Sequence, residues 1–412
     1  MKIKANKQNN CYGRSLPQSE IDLLANAMQY DKPVNGLTHN FYRYPARFSP
    51  QFAAAAIEIF TKQGDLVLDP FMGGGTTIVE ARSRGRLSIG TDINELALFV
   101  CRAKTTIITT SDAIDILNWG SNIEDIFKLN QLSGLISVEN NDYYLRHLSC
   151  KDTWRIRKML DIGLEALPRL KNNRQKLLIQ CALLATGQWA LDCRITIPTA
   201  TEFRQQLHKK LIHIVESAVE YSRLVRKQDR IIKCTLPRRS LCIKQSATNI
   251  HKNKMILKYP KPRLILTSPP YPGVHVLYHR WQIQGRRETP APYWISQSED
   301  GTGGSYYTFG DRKQIGLSDY FKIAAKSFNS IRQLCSKNTI IVQLVAFPDI
   351  DWQLPNYLKM MEEAGFKQYK STASSDTNRH IITREVPNRK WYAAQKGNTP
   401  SSKELLLIHY PR

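Results

Sequence analysis

The 412-residue sequence has no long apolar run and no closely spaced pair of cysteines. No run approaches the roughly 18 apolar residues of a membrane-spanning helix, and no apolar signal-peptide core opens the chain. The eight cysteines are scattered, without Cys-x-x-Cys spacing and without histidines at metal-ligand spacing. We therefore expect a cytoplasmic protein with reduced thiols, no bound metal and no membrane partner.

Acidic residues are scarce relative to basic ones. The chain has 35 Asp and Glu against 59 Lys and Arg, which gives a formal net charge of +24 and a pI near 9.7. Such an excess attracts polyanions and favours nucleic acid over small acidic molecules as a partner. The length is sufficient for one elaborated domain or two.

Neither a Gly-x-Gly-x-x-Gly fingerprint nor a phosphate-binding P-loop occurs in the chain. A different glycine loop is present: the apolar run Leu66–Leu68 predicts a buried strand, and Gly73–Gly75 permits a tight turn after it. A helix is predicted over Ile78–Arg84 and a second strand over Leu87–Gly90. Asp92 then follows the glycines by about twenty residues, where an acid would hold a ribose hydroxyl. The pattern predicts a βαβ nucleotide-binding half.

A second stretch ends the predicted strand Leu264–Leu266 with Thr267-Ser268-Pro269-Pro270-Tyr271. Two prolines cannot continue a strand, because neither has an N–H group for the ladder. The resulting turn offers a hydroxyl, free carbonyls and an aromatic face, which could hold a planar ring that bears an amino group. Taken alone, the turn could also be an ordinary strand-ending loop.

Together these blocks resemble the S-adenosylmethionine-dependent amino-methyltransferases of DNA. The resemblance rests on Asp69-Pro70-Phe71-Met72-Gly73-Gly74-Gly75-Thr76-Thr77, on Asp92-Ile93-Asn94, on Ser268-Pro269-Pro270-Tyr271 and on the stretch 42–50, and it covers residues 40–100 and 255–412. It implies an α/β, Rossmann-like methyltransferase sheet with helices on both faces and a mainly helical, basic inserted region. S-adenosylmethionine is the implied cofactor.

The resemblance also implies roles for individual residues. The implied catalytic residues are Ser268, Pro269, Pro270 and Tyr271. The implied cofactor-binding residues are Arg47, Phe48, Ser49, Asp69, Pro70, Phe71, Gly73, Gly75, Thr76 and Asp92. A structural alternative stays open for Ser49 and Phe48, as a helix cap and an anchoring aromatic.

Three parts of the chain are predicted. Residues 1–30 form an N-terminal arm, 31–104 and 255–412 form the catalytic domain, and 105–254 form a helical, basic insertion that is a candidate target-recognition region. The predicted DNA-binding residues are Arg238, Arg239, Arg280, Arg286 and Arg287. The alternative is that the helices are structural and the charges form a solvated face.

Serine in the first position of the turn is typical of family members that methylate cytosine N4 in a specific duplex DNA sequence. Aspartate or asparagine is typical of adenine N6 enzymes, so adenine is the alternative. Transfer to cytosine carbon 5 needs a cysteine nucleophile, and the chain has no Pro-Cys pair. An RNA amino-methyltransferase and a non-catalytic DNA-binding protein are less favoured. The implied partners are duplex DNA and a cognate restriction endonuclease. The implied location is the inside of a prokaryotic cell, in association with the nucleoid when the protein is bound to DNA.

Overall fold

The computed structural model of the protein describes residues 16–44, 48–129, 141–231, 236, 238–273, 280–285, 287–301, 307–310, 317–369, 382–386 and 402–412. The described strands are β1 (Leu66–Asp69), β2 (Leu87–Asp92), β3 (Ser240–Lys244), β4 (Leu264–Thr267), β5 (Trp281–Ile283), β6 (Arg287–Thr289), β7 (Ile340–Ala346), β8 (Phe366–Gln368), β9 (Ile382–Val386) and β10 (Ser402–Pro411). The described helices are α1 (Gln18–Met28), α2 (Pro50–Phe60), α3 (Thr76–Ser83), α4 (Glu95–Thr105), α5 (Thr110–Ser121), α6 (Ile123–Ile126), α7 (Asn141–Tyr144), α8 (Trp154–Ala166), α9 (Asn173–Leu191), α10 (Ala200–Ile231), α11 (Ala291–Ser296), α12 (Ser318–Leu334) and α13 (Ile350–Glu363).

The central sheet has the strand order β3-β2-β1-β4-β7-β10-β8, and β9 also pairs with β10. Strands β3, β2, β1, β4 and β7 are parallel, whereas β10 is antiparallel to β7, β8 and β9. The strand order reverses between β1 and β4, and the carboxyl ends at such a switch point form a crevice for ligands. The α/β fold class predicted from the sequence is confirmed.

Alternating residues of the strands face two helical layers. Leu66 and Leu68 of β1 pack in the core beneath α12 and α13, whereas Val67 packs with α1 and α2 on the other face. This alternation follows from the two-residue period of a strand. Because both faces are covered, the central strands are mostly apolar, as in other buried parallel sheets.

A third core joins α4 to the helical region. It is formed by apolar residues of α5, α8, α9 and α10 together with α11 and Trp281 of β5. Helix α9 is buried on nearly all sides, as its apolar composition predicts. Gly187 of α9 lies against the Trp281 ring, since a Cβ atom at this position would lie 2.8 Å from it. The helices of this region therefore act as a structural layer.

Several elements differ from the predictions. In the basic stretch after α10, which was predicted as part of a helical insertion, residues 240–244 form β3, the outer strand beside β2. The predicted insertion 105–254 therefore includes one strand of the central sheet. The β5–β6 hairpin was not predicted either, and α13 contains Pro355 within its length.

The part of the chain that the structure describes has neither a membrane-spanning helix nor a cluster of metal ligands. None of their helices combines the length and the apolar character that crossing a bilayer demands. None of their His, Cys, Asp and Glu side chains form a group of three or more that could hold a metal ion.

Candidate active site

The glycine loop and the Ser-Pro-Pro-Tyr turn leave adjacent strands at the same edge of the sheet. Asp69, the last residue of β1, accepts hydrogen bonds from the hydroxyls of Thr77 in α3 and Thr267 at the end of β4, each at 2.7 Å. The Phe71 backbone N–H also donates to Asp69, at 3.2 Å. Asp69 thus connects the loop directly to the residue that precedes Ser268.

The carboxyl group of Asp69 is enclosed by the protein, with only 2% of the residue exposed. Burial raises its pKa to about 6, although the hydrogen bonds from Thr267, Thr77 and Phe71 oppose the rise. The structure gives Asp69 a bridging role, and its predicted contact with the cofactor stays a prediction.

Asp92, at the carboxyl end of β2, is connected to the glycine loop. Its Oδ2 accepts from the Gly73 backbone N–H and its Oδ1 from the Asn94 N–H, each at 2.9 Å. Burial raises the pKa of Asp92, against the pull of these N–H groups. On the inner side of the loop, the ammonium of the buried Lys104 donates to the Gly74 carbonyl at 2.9 Å. The loop is therefore fixed from both sides.

Two glycines are required by the backbone and by close packing. Gly73 and Gly75 have φ angles of 45° and 76°, which favour glycine. A Cβ atom at Gly75 would lie 2.6 Å from Cys101 Sγ, and one at Gly74 would lie 2.8 Å from Tyr44 Cβ. These neighbours belong to the protein itself, and the contact of Gly73 and Gly75 with the cofactor stays a prediction.

The donors and acceptors that remain at this edge fit S-adenosylmethionine. The hydroxyl of Thr76, the first residue of α3, is buried and has no hydrogen-bond partner among the described residues. Asp92 ends β2, the strand that follows α3, which is the position of the ribose-binding acid in dinucleotide-binding folds. Pro70 and Phe71 line the start of the loop, and Phe71 makes an edge contact with Phe309 at 5.6 Å between ring centroids.

The Ser-Pro-Pro-Tyr turn is held by hydroxyl groups. Ser268 Oγ lies 2.9 Å from the Leu344 carbonyl of β7 and 3.1 Å from the Tyr271 hydroxyl. The Tyr271 hydroxyl is 3.3 Å from a carboxylate oxygen of Glu404 in β10. Tyr320 donates to the carbonyl of Pro270 at 2.9 Å, so this carbonyl already has a protein donor.

The expected N-terminal cofactor motif is described in part. Arg47 lies outside the described residues. Ser49 caps α2 by accepting from the Phe52 N–H at 3.1 Å, and the Phe48 ring packs edge-on against Phe52. The structural alternative for these two residues is confirmed, while their contact with a cofactor stays a prediction.

A chain of buried polar groups, not predicted from the sequence, runs outward from this site. The Asn94 amide lies between the hydroxyls of Tyr44 and Tyr293, at 3.4 and 3.2 Å. Tyr293 continues to the Tyr307 hydroxyl at 3.2 Å, and Tyr307 donates to Asp300 at 3.0 Å. Burial raises the pKa of both tyrosines, so they stay neutral donors. No sequence pattern indicates this chain, because Asn94 is far from Tyr44 and Tyr293 in the sequence.

The predicted DNA-binding arginines near the hairpin differ in exposure. Arg280 binds Asp300 through Nε and Nη2, at 3.0 and 2.8 Å, in a pair that is largely buried. Arg286 lies outside the described residues, and Arg287 at the start of β6 is exposed. Since Arg280 has an internal acidic partner, only Arg287 of the described pair presents its charge to solvent.

Arg238 and Arg239 lie at the opposite edge of the sheet. They precede β3, whose first residue pairs with Ser88 at the amino end of β2, whereas its last residue pairs with Asp92 at the carboxyl end. Arg239 also donates to Asp229 of α10 at 2.8 Å. Both arginines are therefore separated from the Ser-Pro-Pro-Tyr turn by the length of the strands. The predicted contact of Arg238 and Arg239 with DNA stays a prediction.

The parallel sheet, its switch point and the two bridged loops define the class of fold as α/β, with a crevice of the kind in which such folds bind nucleotide-type cofactors. Residues 18–99 match the N6/N4 DNA methylase family. The match confirms, for that segment, the resemblance stated from the sequence. The cofactor of the family is S-adenosylmethionine.

Individual relatives match short segments. A stretch of 78 residues, 18% of this chain, is 42% identical to type II methyltransferase M.MvaI of Kocuria varians and covers 17% of that protein. A stretch of 126 residues, 28% of this chain, is 29% identical to type II methyltransferase M.MjaII of Methanocaldococcus jannaschii and covers 24% of it. Among solved structures, TrmN from Thermus thermophilus is similar over 91% of this chain and 52% of its own, at 10% identity and a TM-score of 0.34. The chain thus matches only about a fifth of the length of these curated relatives.

Proposed function

We propose that this protein is a DNA methyltransferase that moves a methyl group from S-adenosylmethionine to the exocyclic N4 amine of cytosine in a specific duplex sequence. The observation that carries the proposal is the Asp69 bridge, which holds the glycine loop and the end of β4 together at the switch point. The names of the type II relatives support a partnership with a restriction endonuclease, which we propose as part of the same function.

The cofactor supplies a sulfonium-bound, electrophilic methyl group. The obstacle is the target amine, whose lone pair is delocalised into its ring. The carbonyls of Ser268 and Pro269 and the Ser268 hydroxyl can accept hydrogen bonds from the NH₂ group, which localises the nitrogen lone pair. The Pro270 carbonyl is less suitable, because Tyr320 already donates to it. Alignment of the target amine with the methyl group at this edge of the sheet provides much of the remaining rate acceleration.

Tyr271 provides the aromatic face in the proposed mechanism. A base inside a duplex cannot reach the turn, so it must be flipped out at a cost of a few kcal/mol. Stacking on Tyr271 and hydrogen bonds at the turn offset that cost. The ring packs at the margin of the core formed by the sheet with α12 and α13, and its hydroxyl is held by Ser268 and Glu404.

The identity of the methylated base tests the proposal directly. Expression of the protein in a host without its own methylation, followed by digestion of the DNA to nucleosides and mass spectrometry, is expected to give N4-methylcytosine. N6-methyladenine would move the function to the adenine alternative. 5-Methylcytosine would contradict the mechanism, and the absence of any methylated nucleoside would contradict the proposed activity.

A small basic surface near the hairpin is suited to the DNA backbone. Arg146 and Arg287 are both exposed, and Arg146 Nε donates to the carbonyl of Glu288 beside Arg287. Partial burial and then the guanidiniums of Arg146 and Arg287 lower the pKa of His147. The effect of both guanidiniums on His147 shows that Arg146 and Arg287 lie near one another, and their combined positive charge favours phosphate. Contacts of this kind position a protein on DNA without reading its sequence.

Replacing Arg146 and Arg287 with alanine is expected to weaken DNA binding and its dependence on salt. Each phosphate contact contributes about −0.9 to the slope of log affinity against log salt, so the slope should flatten by about 1.8. Binding is measured by fluorescence anisotropy with labelled duplex over a salt series. The matched control is Arg238→Ala, which removes an exposed arginine at the opposite edge. Equal flattening in this control would place the DNA elsewhere.

A further inference from the structure

Glu404 is a buried carboxylate behind the Ser-Pro-Pro-Tyr turn, and no motif of the sequence includes it. It lies on β10 opposite Ala346 of β7, with 9% of the residue exposed. Its Oε1 is 3.3 Å from the Tyr271 hydroxyl. Leu344, two residues before Ala346, provides the carbonyl that lies 2.9 Å from Ser268 Oγ. Strands β7 and β10 therefore hold the turn, β7 through a backbone carbonyl and β10 through a side chain.

We propose that Glu404 is a positioning residue that makes Ser268 a hydrogen-bond acceptor for the target amine. The inference rests on the proposed function. The Tyr271 hydroxyl donates its single proton to Oε1 of Glu404, at 3.3 Å. The Tyr271 oxygen can then only accept from Ser268. The Ser268 proton points to Tyr271 or to the Leu344 carbonyl, and in both cases the Ser268 lone pairs remain for a donor.

The direction of this hydroxyl chain matters because the target NH₂ group is a donor. Without an acceptor behind it, the Tyr271 hydroxyl could turn and donate to Ser268 Oγ, which would occupy one of the two Ser268 lone pairs and weaken Ser268 as an acceptor for the amine. Arg384 holds the carboxylate in place: it is the cross-strand neighbour of Glu404 on β9, and its Nη2 lies 3.7 Å from Glu404 Oε2. Opposite charges at such a cross-strand position stabilise the pair.

A double-mutant cycle on Glu404 and Tyr271 tests the inference. Glu404→Gln keeps the size of the side chain but adds an amide donor, and Tyr271→Phe keeps the ring but removes the hydroxyl. Each change is expected to lower the single-turnover rate of methyl transfer to duplex DNA about tenfold, as for one lost hydrogen bond to a charged group. If Glu404 acts through the hydroxyl, the double variant is no slower than Tyr271→Phe alone. Additive losses of about a hundredfold, or an unchanged rate in Glu404→Gln, would overturn the inference.

Two controls separate this result from other causes. Glu385→Gln removes an exposed carboxylate from the neighbouring strand β9 and is expected to leave the rate unchanged. Cofactor affinity, measured by calorimetry, is expected to be the same in Glu404→Gln and in the unaltered protein, which shows that the fold persists. If the unaltered protein methylates no base, the proposed function fails and the inference falls with it. Methylation with additive losses overturns the inference alone.

Discussion

Replacing Gly75 with alanine is expected to abolish binding of S-adenosylmethionine. The backbone at Gly75 has a φ angle of 76°, and an added Cβ atom would lie 2.6 Å from Cys101 Sγ and 3.3 Å from Cys101 Cα. The far end of a flexible side chain could move aside, but Cys101 is held in α4 at the base of the loop. The loop must therefore shift, and with it the Gly73 N–H that donates to Asp92. Isothermal calorimetry of the purified variant measures the loss.

The matched control for this substitution is Gly36→Ala. Gly36 has a φ angle of 89°, so alanine there suffers a similar backbone strain, roughly 1–2 kcal/mol, but nothing lies within 4 Å of its Cβ position. Thermal unfolding of both variants measures the loss of stability that the strain causes, and calorimetry measures their affinity for the cofactor. Full cofactor affinity in a folded Gly75→Ala protein would show that the loop is not the cofactor site.

The glycine loop and the Ser-Pro-Pro-Tyr turn could be predicted because each follows a short apolar run that can only be a buried strand. Glycines and prolines mark the ends of those strands, since they are the residues that leave a ladder. Their proximity in space also follows, because parallel strands end at one edge of a sheet. The Asp69 bridge required one further fact, that β1 and β4 are neighbours, which only the structure shows.

Other parts of the site could not be predicted, for physical reasons that differ between residues. Strand β3, with the sequence Ser-Leu-Cys-Ile-Lys, is a short outer strand with mixed burial, so it has neither a buried run nor a regular alternation. The burial of Arg280 depends on Asp300, which is 20 residues away. Glu404 is separated from Tyr271 by 133 residues, and the register of β10 against β7 alone brings the two together.

The positions of the arginines show why charge is a poor guide to a binding surface. The net charge of +24 favours nucleic acid as a partner, but it does not say which arginines are available. Arg239 is paired with Asp229, and Arg280 is paired with Asp300. Arg146 drew no attention in the sequence, because its neighbour Arg287 follows 141 residues later. A basic surface is therefore defined by which arginines are exposed and by the edge of the sheet at which they lie, rather than by a run of basic residues in the sequence.

Replacing Tyr271 with alanine is expected to lower the rate of DNA methylation by roughly a hundredfold or more while cofactor binding survives. The ring would no longer stack on the flipped base, a contact worth about 1–3 kcal/mol in single-strand binding proteins. The hydroxyl contacts with Ser268 and Glu404 would be lost as well. Cofactor affinity should be retained because the glycine loop follows β1 and Asp92 ends β2, whereas Tyr271 follows β4. Single-turnover methyl transfer and calorimetry on the same preparation measure the two properties.

The Tyr271→Phe variant separates the two contributions of this side chain. It keeps the aromatic face and loses only the hydroxyl, so it is expected to retain about ten times more activity than Tyr271→Ala. A 2-aminopurine base at the target position of the duplex reports base flipping by fluorescence, and the signal should fall in Tyr271→Ala but persist in Tyr271→Phe. If both variants lose activity equally and both still flip the base, then the ring is not the stacking platform, and the Tyr271 hydroxyl carries the whole effect through Ser268.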